Sequence, residues 1–173
     1  WENSYVDRVW TYSLDEVWAG IQAAYAALGI RVKHAYGIAI ESLASIGISA
    51  MMHGYLAFDA QDQVLVPFRT WRNTNTGAAA AELSALFGVN MPLRWSIAHY
   101  RQAMLDAEPH VGAIDHLTTL AGYVHTALTG RRVLGVGDAS GMFPIDPATG
   151  SYDADLVARF DALAADAAPR PLL

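Results

Sequence analysis

The sequence predicts an α/β domain, and three observations carry that expectation. A capped amphipathic helix lies near the start, short apolar and alternating runs follow it, and from Thr76 onward the hydrophobic period returns to that of helices.

In "SLDEVWAGIQAAYAALG", Ser13 can cap a helix while Glu16 reaches back to the cap, forming the S-x-x-E box. Leu14, Val17, Trp18, Ile21, Tyr25 and Leu28 then recur at helical spacing, and Gly29 supplies a left-handed stop. "LASIGIS" is bounded by Glu41/Ser42 and the Met-Met-His-Gly segment, and reads as a strand covered on both faces. "YLAFD" and "QVLVPFRTW" alternate on either side of Asp59 to Asp62 and predict a hairpin. Pro67 cannot donate to an interior ladder, so the second arm ends there or lies at an edge. Helices are then expected in "AAAAELSALFG" up to Gly88 and in "SIAHYRQAML" before Pro109. A strand-like "AIDHL" precedes another helix in "TLAGYVHTALTG", and a last helix starts near Asp153 with Leu156, Phe160 and Leu163 on one face. No internal repeat of roughly 20 to 50 residues is present.

With 173 residues the chain fits one domain, able to bury roughly 70% of the surface of its unfolded form. Its net charge of -6, from 11 basic and 17 acidic residues, leaves no Lys/Arg stripe beyond Arg131 and Arg132, which argues against nucleic acid as a partner. The absence of cysteine excludes disulfides, thiolate nucleophiles and cysteine-bound zinc, and agrees with a cytoplasmic setting. No apolar run reaches the length of about 18 residues that suggests a membrane span, so the 53% apolar content reads as helix and core. The opening "WENSYVDRVWTYS" reads as the late strand of something that began earlier, and Pro169 to Leu173 as a hinge or tail towards a second domain. The expected organisation is therefore a body over 1–168 and a tail over 169–173.

The six histidines are spaced too widely for a tight metal box, so no metal site is expected. "GVGDASG", Gly135 to Gly141, is glycine-rich but fits neither G-x-G-x-x-G nor the Walker pattern, and no G-x-S-x-G elbow exists. His53 stands out by its setting: it follows a predicted central strand, at the end from which α/β proteins present ligand-binding groups. Gly54 beside it lets a backbone approach closely. A neutral imidazole offers one donor and one acceptor, which suits a sugar hydroxyl, and Met51 and Met52 can supply an adaptable apolar wall. "RTWRNTNT" places Arg72 and Asn73 beside an aromatic residue, and Trp95 sits between Arg94 and Ser96. Each pattern has a plain structural alternative. Met51 and Met52 can be core filler, Asn73 to Asn75 a helix start capped by Thr74 or Asn75, and the Trp95 ring a packing group.

"IGISAMMHGYLAFDAQDQVLVPFRTWRN" resembles the "(I/L)S-x-QMHG … D … VL-RP … W-N-D" segment of the FGGY carbohydrate kinases, nearest to their xylulokinase-like branch. "LTTLAGYVHTALTG" and "GDASGMFPIDPATGSYD" continue the resemblance, which runs in order from about Val9 to Phe160. It implies a ribonuclease H-like, actin-like ATPase fold with a mixed sheet and flanking helices, lacking its first strands here. The parent it implies transfers the ATP γ-phosphoryl group to a hydroxyl of a ketose or related polyol, with Mg²⁺. Matched by motif, Met52 and His53 fall on the substrate-contacting pair and Gly54 on its glycine. Arg72 and Asn73 fall on the W-N-D position, and Asp138 with Ser140 on the D-A-x-G-T position.

Met51 stands where xylulokinases have Gln, and "WRN" replaces "WND", which leaves the sugar open. The phosphate-contacting D-x-G-T hairpin and the glycine-rich segment with the catalytic Asp are expected before Trp1 and beyond Leu173. No catalytic residue is thus expected in this chain, which on its own would be inactive. A second reading is a non-enzymatic binding or assembly module descended from such a kinase. Missing opening strands would also expose a sheet edge and favour homo-oligomers.

Overall fold

The computed structural model describes residues 4–168, which form a mixed α/β arrangement built around one short, fully buried strand. The tail expected over 169–173 lies outside the described residues.

The opening is a hairpin rather than a single strand: β1 (Ser4–Val6) pairs antiparallel with β2 (Val9–Thr11). Asp7 and Arg8 turn it with φ of 48° and 67°, the two left-handed positions that a two-residue hairpin turn requires. An Asp-Arg turn lacks the Asn-Gly or Asp-Gly signature, which hides the reversal in the sequence. In α1 (Leu14–Tyr36) Ser13 caps as expected, its side chain accepting from the Glu16 N–H at 3.3 Å. The helix does not stop at Gly29. Gly37 takes the left-handed position instead, with φ of 72°, because an interior glycine costs only about 1 kcal/mol and does not by itself end a helix.

Residues 38–50 contain no helix or strand, so the two-faced strand expected at "LASIGIS" does not form here. Leu43 and Ile46 are exposed. A strand needs a neighbour for its backbone groups, and among the described residues none lies in register with this segment.

The two-faced role falls instead to β3 (Leu56–Phe58), buried at every position. It pairs antiparallel with β4 (His116–Thr118), matching Leu56 with Thr118 and Phe58 with His116. On its other edge, isolated bridges join Tyr55 to Arg69 and Phe58 to Val64, giving the expected hairpin an irregular second arm. The Asp59 carboxylate turns it by accepting from the Gln61 and Gln63 N–H groups at 2.9 and 2.8 Å.

The later helices follow their punctuation. They are α2 (Gly77–Phe87), ending at Gly88; α3 (Ser96–Leu105); α4 (Leu120–Thr129), capped by Thr119 and ending at Gly130; the four-residue α5 (Val136–Ala139); and α6 (Ala154–Ala164), capped by Asp153. A small ribbon, β5 (Ile145–Asp146) with β6 (Ser151–Tyr152), leads into α6. Alternation along the central strand then divides the core. Tyr55 and Ala57 join Leu83, Ile97, Phe143 and Phe160 beneath α2, α3 and α6, while Leu56 and Phe58 join Val17, Phe68, Leu120 and Val124 beneath α1 and α4.

His99 on α3 is 0% exposed, and neither ring nitrogen has a hydrogen-bond partner among the described residues. Burial, and then the Arg69 charge, push its pKa down to about 3. The folded protein therefore binds this proton more weakly than the unfolded chain. The associated stability is complete above the ordinary imidazole value and is lost as pH falls from about 6.5 towards 3, by up to about 1.4 kcal/mol per pH unit. Urea unfolding at a series of pH values should show a shallower acid loss for His99→Phe than for the wild type; equal slopes would show that this imidazole does not set the acid limit.

Candidate functional site

Met52, His53 and Gly54 form the turn that delivers the chain from the irregular 38–50 segment into β3. Gly54 adopts φ of 115°, a backbone conformation that L side chains rarely adopt. A Cβ there would stand 2.6 Å from the Arg69 carbonyl oxygen and 2.8 Å from the Phe68 ring. Its N–H donates to the Arg94 carbonyl at 3.0 Å, and its carbonyl accepts from the Ser96 hydroxyl at 2.5 Å. The turn is thus clamped between the hairpin's second arm and the first residues of α3, whose capping position is Trp95.

A second turn closes on the first. A Cβ at Gly141 would overlap the Met52 carbonyl oxygen and stand 2.7 Å from His53 Nδ1. His53 Nδ1 lies 3.4 Å from the Gly141 carbonyl oxygen. Residues 52–54, 94–96 and the loop of Asp138 and Ser140 therefore meet, although more than 80 residues of chain separate the first from the last. Burial holds the His53 pKa below its ordinary value; the Gly141 contact opposes that shift, and the Arg94 charge adds to it. Near neutral pH the ring is uncharged and can both donate and accept. Asp138 lines a cavity of about 240 Å³ with Ile46, Ile48, Gly122, His125 and Leu134, and burial pushes its carboxyl upward. The Ser140 hydroxyl donates to the Gly137 carbonyl at 2.8 Å, which braces the loop.

Other sequence candidates have different surroundings. Asn73 is buried: its side-chain oxygen accepts from the Trp10 N–H at 2.9 Å, and its amide donates to the Trp10 and Thr70 carbonyls at 2.8 and 2.9 Å. Three of the four hydrogen bonds its amide can make are thus used: the two to Trp10 tie the hairpin's second arm to β2, and the one to Thr70 braces that arm locally. Arg72 is exposed and lays its guanidinium over the Trp10 ring, 3.7 Å from the centroid. The cap of α2 is Thr76, not Thr74 or Asn75, and its hydroxyl donates to the Leu93 carbonyl at 2.5 Å. The Trp95 ring packs on the α2, α3 and α6 core, and Met51 on the α1 and α4 core. Among the described residues no group of three or more His, Asp or Glu side chains is placed to hold a metal ion.

Sequence reasoning also missed a polar group beneath the turn, made by Tyr55, Arg69, Glu108 and His110. The hairpin register could have paired Tyr55 with Arg69. Nothing local marks Glu108 or His110, which reach them from some 40 to 55 positions along the chain.

An α/β domain with its turns gathered beside a central strand matches a known class. Residues 7–169 match the sequence model of the FGGY family of carbohydrate kinases, N-terminal domain, and the chain belongs to that family. Among solved structures it is similar to a xyloylose kinase from Brucella ovis, with 23% identity and a TM-score of 0.70 over 87% of this chain and 32% of that one. It is also similar to a xylulose kinase from Bifidobacterium adolescentis, with 16% identity and a TM-score of 0.55 over 75% of this chain and 34% of that one. The chain thus spans about a third of the length of these kinases and shares the fold of that third. No curated protein gives a match.

Two substitutions separate contact between the turns from simple anchoring. Gly141→Ala should force the loops apart and lower stability by about 1–3 kcal/mol, the range for overpacking. Asn73→Ala should lower it by a similar amount, about 1–3 kcal/mol, by freeing buried backbone groups. Only Gly141→Ala should change the NMR signals of the His53 imidazole. A matching change in Asn73→Ala would place that clamp in the same unit as the turn.

Proposed function

We propose that this chain forms the sugar-side wall of an ATP-dependent kinase that phosphorylates a pentulose-like ketose or a related polyol. The observation that carries this reading is the contact of the Met52–Gly54 turn with the Asp138–Gly141 loop, because it converges two separate motifs on one surface. A sugar hydroxyl must give and receive a hydrogen bond, and the neutral His53 ring can answer both. Met52 offers a polarisable apolar face to the sugar's C–H groups. Asp138 and Ser140 sit on the loop that Gly141 brings against Met52 and His53, and from there would supply acceptor and hydroxyl groups. Trp95 stands at the start of α3, bonded to the turn through its neighbours Arg94 and Ser96, while Arg72 and Asn73 act on the wall only indirectly, by fastening the hairpin's second arm to Trp10.

Phosphoryl transfer depends chiefly on positioning and on neutralising charge at the γ-phosphate. This chain's part is the first, holding the acceptor hydroxyl in place. ATP and Mg²⁺ supply the phosphoryl group and its charge neutralisation in the parent enzyme, and the described residues form no Mg²⁺ ligand set through which a step could be drawn. Neither D-x-G-T nor G-D-N/Q occurs in the 173 residues. Alone, the chain should therefore hold sugar without phosphorylating it.

Calorimetric titration of a longer kinase carrying this chain with pentuloses and hexuloses tests the reading. One sugar should bind, and His53→Ala should remove about 1–3 kcal/mol of its binding energy, as expected for a polar contact left unpaired. Binding should also weaken as the pH falls far enough to protonate His53, since the cation can only donate. A panel without a binder, or binding indifferent to His53, would overturn it.

A further inference from the structure

Directly beneath the Gly54 turn lies a closed ring of polar groups that the proposed sugar contacts leave unused. Tyr55 and Arg69 face each other across the hairpin: the Tyr55 N–H donates to the Arg69 carbonyl at 2.8 Å, and the Arg69 N–H donates to the Tyr55 carbonyl at 3.2 Å. Residues paired in this way project their side chains to one face of the ribbon. The Arg69 guanidinium carbon stands 5.2 Å from the centre of the Tyr55 ring. That guanidinium grips Glu108 with both prongs, Nη1 to Oε1 at 2.9 Å and Nη2 to Oε2. Glu108 Oε2 lies 3.5 Å from His110 Nδ1, and His110 Nε2 lies 2.8 Å from the Tyr55 hydroxyl. Backbone pairing on one side and the side-chain relay on the other thus fix Tyr55 and Arg69 twice over.

Such an arrangement is a poor source of stability, because removing charges from water offsets much of their attraction. Tyr55, Arg69 and His110 are 0%, 8% and 7% exposed. What a forked ion pair between a buried Arg69 and a partly exposed Glu108 does supply is direction, since both bonds must align at once. Here the direction matters at one atom. The Arg69 carbonyl oxygen is the group against which Gly54 is pressed, leaving no room for a Cβ. Any displacement of Arg69 is therefore passed to Gly54, and from Gly54 to its covalent neighbour His53.

We propose that Arg69, held by Glu108 and His110, is the positioning residue of the Met52–Gly54 turn and sets the direction in which His53 presents its imidazole. For its consequence in sugar binding the inference rests on the wall proposed above; the positioning itself can be read without any sugar. A comparison pair is available in the same molecule. Arg101 and Glu82 make the same forked contact, at 2.6 and 2.9 Å, between α3 and α2, with Glu82 partly exposed and neither residue touching the turn.

The test follows the His53 imidazole by NMR titration in the wild type, Glu108→Gln, Glu82→Gln and Tyr55→Phe, together with ketose affinity in the longer kinase. Glu108→Gln should move the His53 pKa upward towards 6.5, as the ring loses its buried seat. Merely deleting a negative charge would move it the other way, so a rise reports geometry. Ketose affinity should fall roughly five- to tenfold, the effect of one misaligned polar contact. Glu82→Gln should change neither reading. Tyr55→Phe keeps the ring and breaks only the relay, so it should give a smaller shift of the same sign, and it decides the matter if Glu108→Gln does not fold. A His53 titration unchanged in both Glu108→Gln and Tyr55→Phe overturns the positioning role. A shifted His53 in a protein that binds no ketose supports positioning while removing the sugar wall.

Discussion

The site depends on Gly54 having no side chain. Its Cβ position is occupied by the Arg69 carbonyl and the Phe68 ring, its N–H is held by Arg94, and its carbonyl is held by Ser96. Hairpin, helix start and turn are thereby fastened at one residue. His53 precedes it by one position and inherits its placement, and the Gly141 turn can then close on Met52 and His53. Space for a backbone approach, rather than any strong bond, is the constraint from which the meeting of the two turns follows.

The rest of the molecule serves to hold that point still. β3 leaves Gly54 through Tyr55 and is packed on both faces, so the exit of the turn is rigid in the sense that it lies within two hydrophobic clusters. α3 begins at Ser96, whose hydroxyl bonds to the turn. Asn73 and Arg72, which the family pattern would put near substrate, bind the opening hairpin through Trp10 and so hold the second arm in place. Charge has a similarly local role: burial and Arg94 keep His53 neutral, while Asp138 loses part of its preference for ionisation to its own burial.

Local signals were legible in the sequence. Ser13, Asp153, Gly88 and Gly130 mark helix ends because caps act within a few residues, and Asp59 marks its turn for the same reason. The grouping of Met52, His53, Gly54, Asp138 and Ser140 came from a pattern of motifs, since nothing in spacing alone joins residues so far apart. What escaped detection was non-local. "LASIGIS" has the composition of a buried strand, yet pairing is a property of neighbours, and Leu43 and Ile46 are left exposed. The hairpin at Asp7 and Arg8 has no glycine to announce it. Asn73 reads as a helix start and proves to be a clamp, because its partners at Trp10 lie across the fold. Tyr55, Arg69, Glu108 and His110 carry ordinary sequence contexts, and only tertiary packing makes them one group.

The central claim is that three segments of one chain form a single sugar-facing surface. Its most direct test is an NMR titration of the isotope-labelled chain with the ketose that binds best, recorded amide by amide. The account predicts that signals from residues 52–54, 94–96 and 138–141 shift together, with one common saturation curve. Shifts confined to one of these segments, or gathered on a different face of the fold, would contradict it.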